Sequence, residues 1–180
     1  MMRKLEAGGT TVTEGIQGER ASGRLAELYE RHSPEAIRLA YLLTGDVELA
    51  QDLVQEAFVK LVGHFTDLIR AQSFDAYLKR TIVNLAYGHF RRRRVERAYS
   101  VRVQTLTRTS TEFPDVEERD ELWNRLHLIA PRQRAALVLR YYDDLSEQQT
   151  ADVLGCSVRT VKSLVARGLH AMRLQGGQRD

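Results

Sequence analysis

The apolar positions of this chain recur at helical spacing over most of its length and nowhere alternate as a strand would. The clearest stripe is Ala50, Leu53, Val54, Ala57, Phe58, Leu61, Val62 and Phe65, which keeps the three-then-four spacing without a miss. It predicts an amphipathic helix whose other face shows Gln51, Asp52, Gln55, Glu56 and Lys60. Upstream, the period runs from Leu25 to Leu43, with Ser33-Pro34 as a candidate break, because serine caps and proline takes the first helical position. Thr44-Gly45-Asp46 then supplies a glycine stop and an aspartate start. Downstream of a loop at about 66–73, Phe74, Tyr77, Leu78, Thr81, Ile82, Leu85 and Ala86 mark a third helix. That helix runs into Gly88-His89-Phe90 and four consecutive arginines, Arg91 to Arg94.

The period fails at both ends and in the middle. Residues 1–24 read as a flexible leader, 95–115 (rich in Thr, Ser and Arg) as a linker, and 176–180 as a fraying tail. Patterning returns from Val116, with Leu122, Trp123, Leu126 and Ile129 on one helix. Pro131 opens a second that carries Ala135, Val138, Leu139 and Tyr142, and two shorter helices follow. The expected fold is all-α, with two small helical domains, 25–94 and 116–175, joined by a flexible linker.

Composition narrows the setting. At 180 residues, 43% hydrophobic and 28% charged, the chain is a globular one of one or two domains. A lone cysteine, Cys156, excludes a disulfide framework and a multi-cysteine zinc site and points to a reducing compartment. No apolar run has the length of a membrane span or a signal peptide, so the expectation is a cytoplasmic protein without membrane insertion. The net charge of +3 hides a segregation: residues 25–78 hold nine acids against four bases. Residues 79–108 hold Lys79, Arg80, Arg91 to Arg94, Arg97, Arg102 and Arg108 against Glu96 alone. Such segregation suggests one surface for a polyanion and another for a basic partner.

The most informative motif is SEQQTADVLGCSVRTVKSLVARGLHAM, residues 146–172. Ser146 and Gln149 form a capping-box pair that starts a helix at Glu147, Ala151 permits close helix approach, and Val153 and Leu154 supply apolar contact. Gly155 suits the left-handed conformation that ends a helix, and Ser157 caps the next one. The apolar face of that next helix reads Val158, Val161, Val165, Leu169 and Met172. This is helix-turn-helix spacing, and the opposite face presents Arg159, Thr160, Lys162, Ser163, Arg167 and His170. Arginine and lysine can bond guanine edges in pairs, while hydroxyls and further cations bind phosphates. The plain alternative is a helical hairpin with a solvated basic face.

From about residue 25 to 173 the chain resembles the extracytoplasmic-function sigma factors, the small two-domain promoter-recognition subunits of bacterial RNA polymerase. AQDLVQEAFVKLV (50–62) is similar to the family's polymerase-binding helix, and FDAYLKRTIVNLAYGHFRRRR (74–94) to its −10-recognition helix with a basic end. APRQRAALVLRYYDDLSEQQTADVLGCSVRTVKSLVARGLHAMR (130–173) is similar to the domain that reads the −35 element. The resemblance implies that Asp52, Gln55, Glu56 and Val59 dock on the clamp coiled coil of core RNA polymerase, and that the flap is a further contact. It implies that Asn84 meets a −10 base, with Lys79, Arg80, His89, Arg91, Arg92, Arg93 and Arg94 on phosphates, and that the loop at about 64–73 sets −10 preference. Arg159, Thr160, Lys162, Ser163, Arg167 and His170 would read −35 promoter DNA, and an anti-sigma factor is implied as regulator. Three departures stand out. Tyr77-Leu78 replaces the common Trp-Leu, on a position read as core; Leu164 stands where many members have arginine, and Ala166 where they have serine or a similar residue.

Two other classes compete with this one. A stand-alone helix-turn-helix repressor or activator would need a palindromic operator and a dimer interface within 25–90, which the acidic face and separate arginine cluster fit poorly. An enzyme is disfavoured because His32, His64, His89, His127 and His170 are scattered and there is no glycine-rich phosphate loop. Cys156 reads as a small buried turn residue, and no cofactor or metal is expected.

Overall fold

The computed structural model describes residues 10–62, 74–99 and 123–176, and among them every regular element is helical. The helices are α1 (Thr10–Thr44), α2 (Val47–Val62), α3 (Phe74–Tyr99), α4 (Pro131–Leu137), α5 (Glu147–Leu154) and α6 (Val158–Gly176), with a helical turn at 123–126 before α4. The chain divides into two units, Met1–Pro34 and Glu35–Asp180.

The predicted punctuation is where it should be. Gly45 adopts φ +73° and ends α1, and Asp46 caps α2 by accepting from the Leu49 N–H at 3.0 Å. Ser146 caps α5 in a complete capping box, Gly155 ends it at φ +61°, and the Thr160 N–H donates to Ser157 Oγ at 3.2 Å. Pro131 opens α4, where its missing N–H costs nothing.

Four readings change. Helix α1 starts at Thr10 and passes through Pro34, so it takes in residues 10–24, where a flexible leader was predicted, and Ser33-Pro34 is no break. Extension of a formed helix is cheap once nucleated, and an apolar stripe is needed to pack a helix rather than to continue one. Likewise α3 runs on to Tyr99, past the expected linker start at 95. Within α3, Leu78, Ile82, Val83 and Ala86 are buried while Tyr77 is 47% exposed, so the aromatic expected in the core stands in solvent. Finally, α4 continues into a π-helical turn, Val138–Tyr142, closed by the Asp143 N–H on the Val138 carbonyl. The wider turn keeps Val138 and Leu139 buried and swings Tyr142 outward, to 46% exposure.

In the second unit, Leu39, Leu43, Val54, Ala57, Phe58, Leu78 and Ile82 form one core, where α2 packs on α3. Leu126, Ile129, Ala135, Leu139, Ala151, Leu154 and Val161 form another, where α6 packs on α4 and α5. These two helical modules also pack on each other, with α3 along α5.

Candidate nucleic-acid and protein interfaces

Helix α6 is seated by a buried line of Val161, Leu164 and Gly168. A Cβ at Gly168 would lie 2.8 Å from Leu137 Cδ1, so glycine lets α6 sit directly on α4. The predicted stripe is therefore corrected by about one position: Val158, Val165, Leu169 and Met172 are half-buried flanks, and Leu164, which stands where many members have arginine, is only 6% exposed. Rotation about this line turns Arg159, Lys162, Ser163, Ala166, Arg167 and His170 to solvent. Thr160 is half-buried and its hydroxyl lies 2.9 Å from Ser157 Oγ, which fixes it at the helix start. Lys162 Nζ is 3.3 Å from a Glu147 carboxylate oxygen, and Arg167 Nε donates to the Ser163 carbonyl at 3.2 Å. Cys156 is half-buried in the turn rather than fully enclosed.

On α2, Asp52, Gln55, Glu56 and Val59 share one exposed face. Val59 is 72% exposed, an uncovered branched side chain among acids and amides, while the stripe opposite is buried from Ala50 to Leu61. Glu56 is paired with Lys60 at 2.8 Å across one helical turn.

The α3 candidates divide. Asn84, Arg80 and Arg91 to Arg93 are exposed, His89 is half-buried, and the side chain of Arg94 lies outside the described residues, as does the loop at 64–73. Lys79 is different: its side chain is 12% exposed, with Nζ 2.7 Å from Asp75 and 3.8 Å from Asp143 of the other module. Burial works against its charge, but the Asp75 hydrogen bond and both carboxylates hold its pKa above the ordinary lysine value. Asp143 is pushed up to about 6, chiefly by burial, with Lys79 opposing.

Comparison with known proteins bears directly on these surfaces. The Sigma-70 region 2 family model matches residues 28–96, and the Sigma-70 region 4 model matches 119–172. An RNA polymerase sigma-E factor from Streptomyces avermitilis is 34% identical over 157 residues, covering 86% of each chain. The chain belongs to the extracytoplasmic-function sigma factors. A sigma-E factor of Streptomyces coelicolor is 32% identical over a similar span. Among solved structures, the sigma factor RpoE of Bartonella quintana, crystallised with the anti-sigma factor NepR, matches with TM-score 0.68 at 21% identity, over 82% of this chain and 93% of that one. CnrH in complex with the cytosolic domain of CnrY matches with TM-score 0.66 at 22% identity, over 91% and 96%. At such identities these two neighbours speak for the fold. The repressor reading gives way to the sigma-factor one.

Several residues that organise this sigma factor escaped the sequence reading. Arg134, 5% exposed, donates to the carbonyls of Leu43, His127 (3.0 Å) and Ile129 (3.4 Å), and its guanidinium lies 5.7 Å over the Phe90 ring. Leu43 sits in the last turn of α1, whose carbonyls have no partner within the helix, so Arg134 supplies both donor and positive charge to that end. Burial lowers the Arg134 pKa to about 10, which leaves it charged at neutral pH. Trp123 lies against Gly45 and stacks on His127 at 4.7 Å. The only available signals were an arginine within an apolar helix and a turn glycine, and neither names its distant partner. Among the described residues no helix is long and apolar enough to cross a membrane, and no acid, histidine or cysteine cluster could hold a metal.

Proposed function

We propose that the chain directs core RNA polymerase to promoters through three surfaces: the α2 face for the polymerase, α3 for melted −10 DNA, and α6 for the −35 duplex. The observation that carries this reading is the bare Val59 amid Asp52, Gln55 and Glu56, on a helix with more acids than bases, whereas α3 and α6 carry more bases than acids. Phosphate-bearing DNA is repelled from that face, whereas a basic protein surface is attracted and can cover the valine. The exposed Arg159, Lys162, Arg167 and His170 of α6 support insertion into a major groove, with Ser163 and Thr160 on phosphates. Asn84 and Arg91 to Arg93 support capture of an opened strand along α3.

No covalent step is required. Strand opening follows from tighter binding to the open form than to the duplex, and the two DNA contacts reinforce each other through effective concentration. The chain accordingly acts in the cytoplasm, with the nucleoid, and not as an enzyme. Its partners are the clamp coiled coil and flap of core polymerase, promoter DNA and an anti-sigma factor.

In vitro transcription with core polymerase and a promoter library tests the whole reading: specific initiation sites are expected, and none from a folded sample would refute it. Asp52→Arg should abolish pull-down of core polymerase while the chain stays helical. Retained pull-down would remove α2 as the docking face.

A further inference from the structure

On the exposed face of α6, one position differs in kind from its neighbours. Spacings of seven and four residues bring Arg159, Ala166 and His170 to within about 40° of one line along the helix. That line lies about half a turn from Val161, Leu164 and Gly168, the residues that seat α6, so it points outward. All three residues on it are exposed, as are Lys162 and Arg167 on the two flanks. Arg159, Lys162, Arg167 and His170 are long and polar. Ala166, in their midst, has a single methyl group and nothing that donates or accepts a hydrogen bond.

So short a side chain lets the axis of α6 approach the surface it faces more closely than a long one would, while Lys162 and Arg167 reach past it on either side. Its methyl can gain only from apolar contact, which requires an apolar group opposite. Base-pair edges in a major groove are polar with one exception, the 5-methyl group of thymine. We propose that Ala166 is a specificity-determining residue of α6: its methyl packs on the 5-methyl group of one thymine and selects an A·T pair there, with thymine on the contacted strand. The inference rests on the reading of α6 as the −35 helix and goes beyond it. Cations on phosphates give affinity whatever the sequence, and Ala166 adds a preference that they cannot. The alanine is this chain's own feature, since many members of the family have serine or a similar residue at this position, and a hydroxyl can bond base edges of either kind.

The test removes one methyl group at a time from the DNA. Transcription by core polymerase and the full chain on a promoter library gives the −35 sequence. That sequence is made as a fluorescein-labelled duplex, and again with deoxyuridine in place of each thymidine in turn. Deoxyuridine keeps every hydrogen-bonding group of thymidine and lacks only the methyl. At one position the replacement should weaken binding of the full chain about fourfold, the effect of uncovering one buried methyl group. In Ala166→Gly the ratio of the two affinities at that position should fall to about one. The ratio is the readout, because a glycine that loosens α6 weakens both duplexes alike. Ala166→Gln, a good helix former that puts an amide in the methyl's place, should lower it in the same way. A fourfold ratio that survives in both variants overturns the role of Ala166. If the library yields a preferred −35 sequence that tolerates every replacement, the reading of α6 stands and this inference falls. If it yields initiation with no preferred −35 sequence, the reading of α6 falls as well.

Discussion

Helices α3 and α6 are both basic and both proposed to meet DNA, yet their cations live in opposite surroundings. On α6, Arg159, Lys162 and Arg167 are exposed, because the buried line through Val161, Leu164 and Gly168 fixes which face points outward. On α3, the first cation, Lys79, is 12% exposed and held by two carboxylates, one from each module. Positive charge along a sequence therefore does not by itself give an available cation. Availability is set by what the neighbouring module places opposite, and the contrast between these helices can be broken or sharpened at named residues.

The largest effect is expected at the contact that orders the two modules. Arg134→Leu leaves the carbonyls of Leu43, His127 and Ile129 without their donor and removes the charge at the end of α1. Loss of such a buried, charged hydrogen-bond centre should cost about 3 kcal/mol, read as a lower urea midpoint with similar slope. A loss below about 0.5 kcal/mol, typical of a surface substitution, would mean that the modules are not held together here.

Arg159→Ala addresses α6. A base-edge contact contributes roughly 1–3 kcal/mol, so binding to a −35 duplex should weaken about tenfold or more. Pull-down of core polymerase should be unchanged, since Arg159 and Asp52 stand on different modules. Equal loss of both activities would show that the substitution harms the fold rather than a reading contact.

How much of this could be read from the sequence follows the range of the interactions. The α2 stripe, the capping box at Ser146 and the left-handed Gly155 depend on residues within one or two turns, and the structure has them as the spacing predicts. Tyr77 and Tyr142 were placed in the core by the same spacing and are exposed. For Tyr142 the cause is the π-turn, which shifts the angular register. For Tyr77 it is the position of the partner helices, which put Val83 inside instead. The Arg134–Leu43 contact spans 91 residues, and no local pattern encodes it. Which helix faces stand exposed was thus largely legible from local chemistry, and the contacts between the modules were not.

Asp143 gives the contrast a pH dependence. Its carboxyl rises from 3.8 to about 6, mainly by burial, with Asp75 and Glu35 adding repulsion and Lys79 opposing. The folded chain therefore holds this proton more tightly than the unfolded one. The associated stability is full below about pH 4 and is lost as pH rises through about 6, on the order of 1–2 kcal/mol. Asp143→Asn removes that loss, so the variant should gain on wild type in urea midpoint between pH 4 and pH 7 by this amount. A constant difference would mean that Lys79 fully compensates the buried charge.

The smallest effect tests whether α6 is as open as it looks. Among the described residues Lys162 pairs with Glu147, at 3.3 Å, with the two side chains 63% and 41% exposed. An ion pair this exposed contributes about 0.5 kcal/mol or less, because water and salt already screen it. Glu147→Gln should therefore leave the urea midpoint nearly unchanged and strengthen duplex binding by about twofold, as one phosphate-facing cation loses a weak competitor. A tenfold gain would put Lys162 in the position of Lys79, masked by its own fold. The difference between the two helices would then be one of degree, since each would carry an acid that must be displaced before DNA can bind.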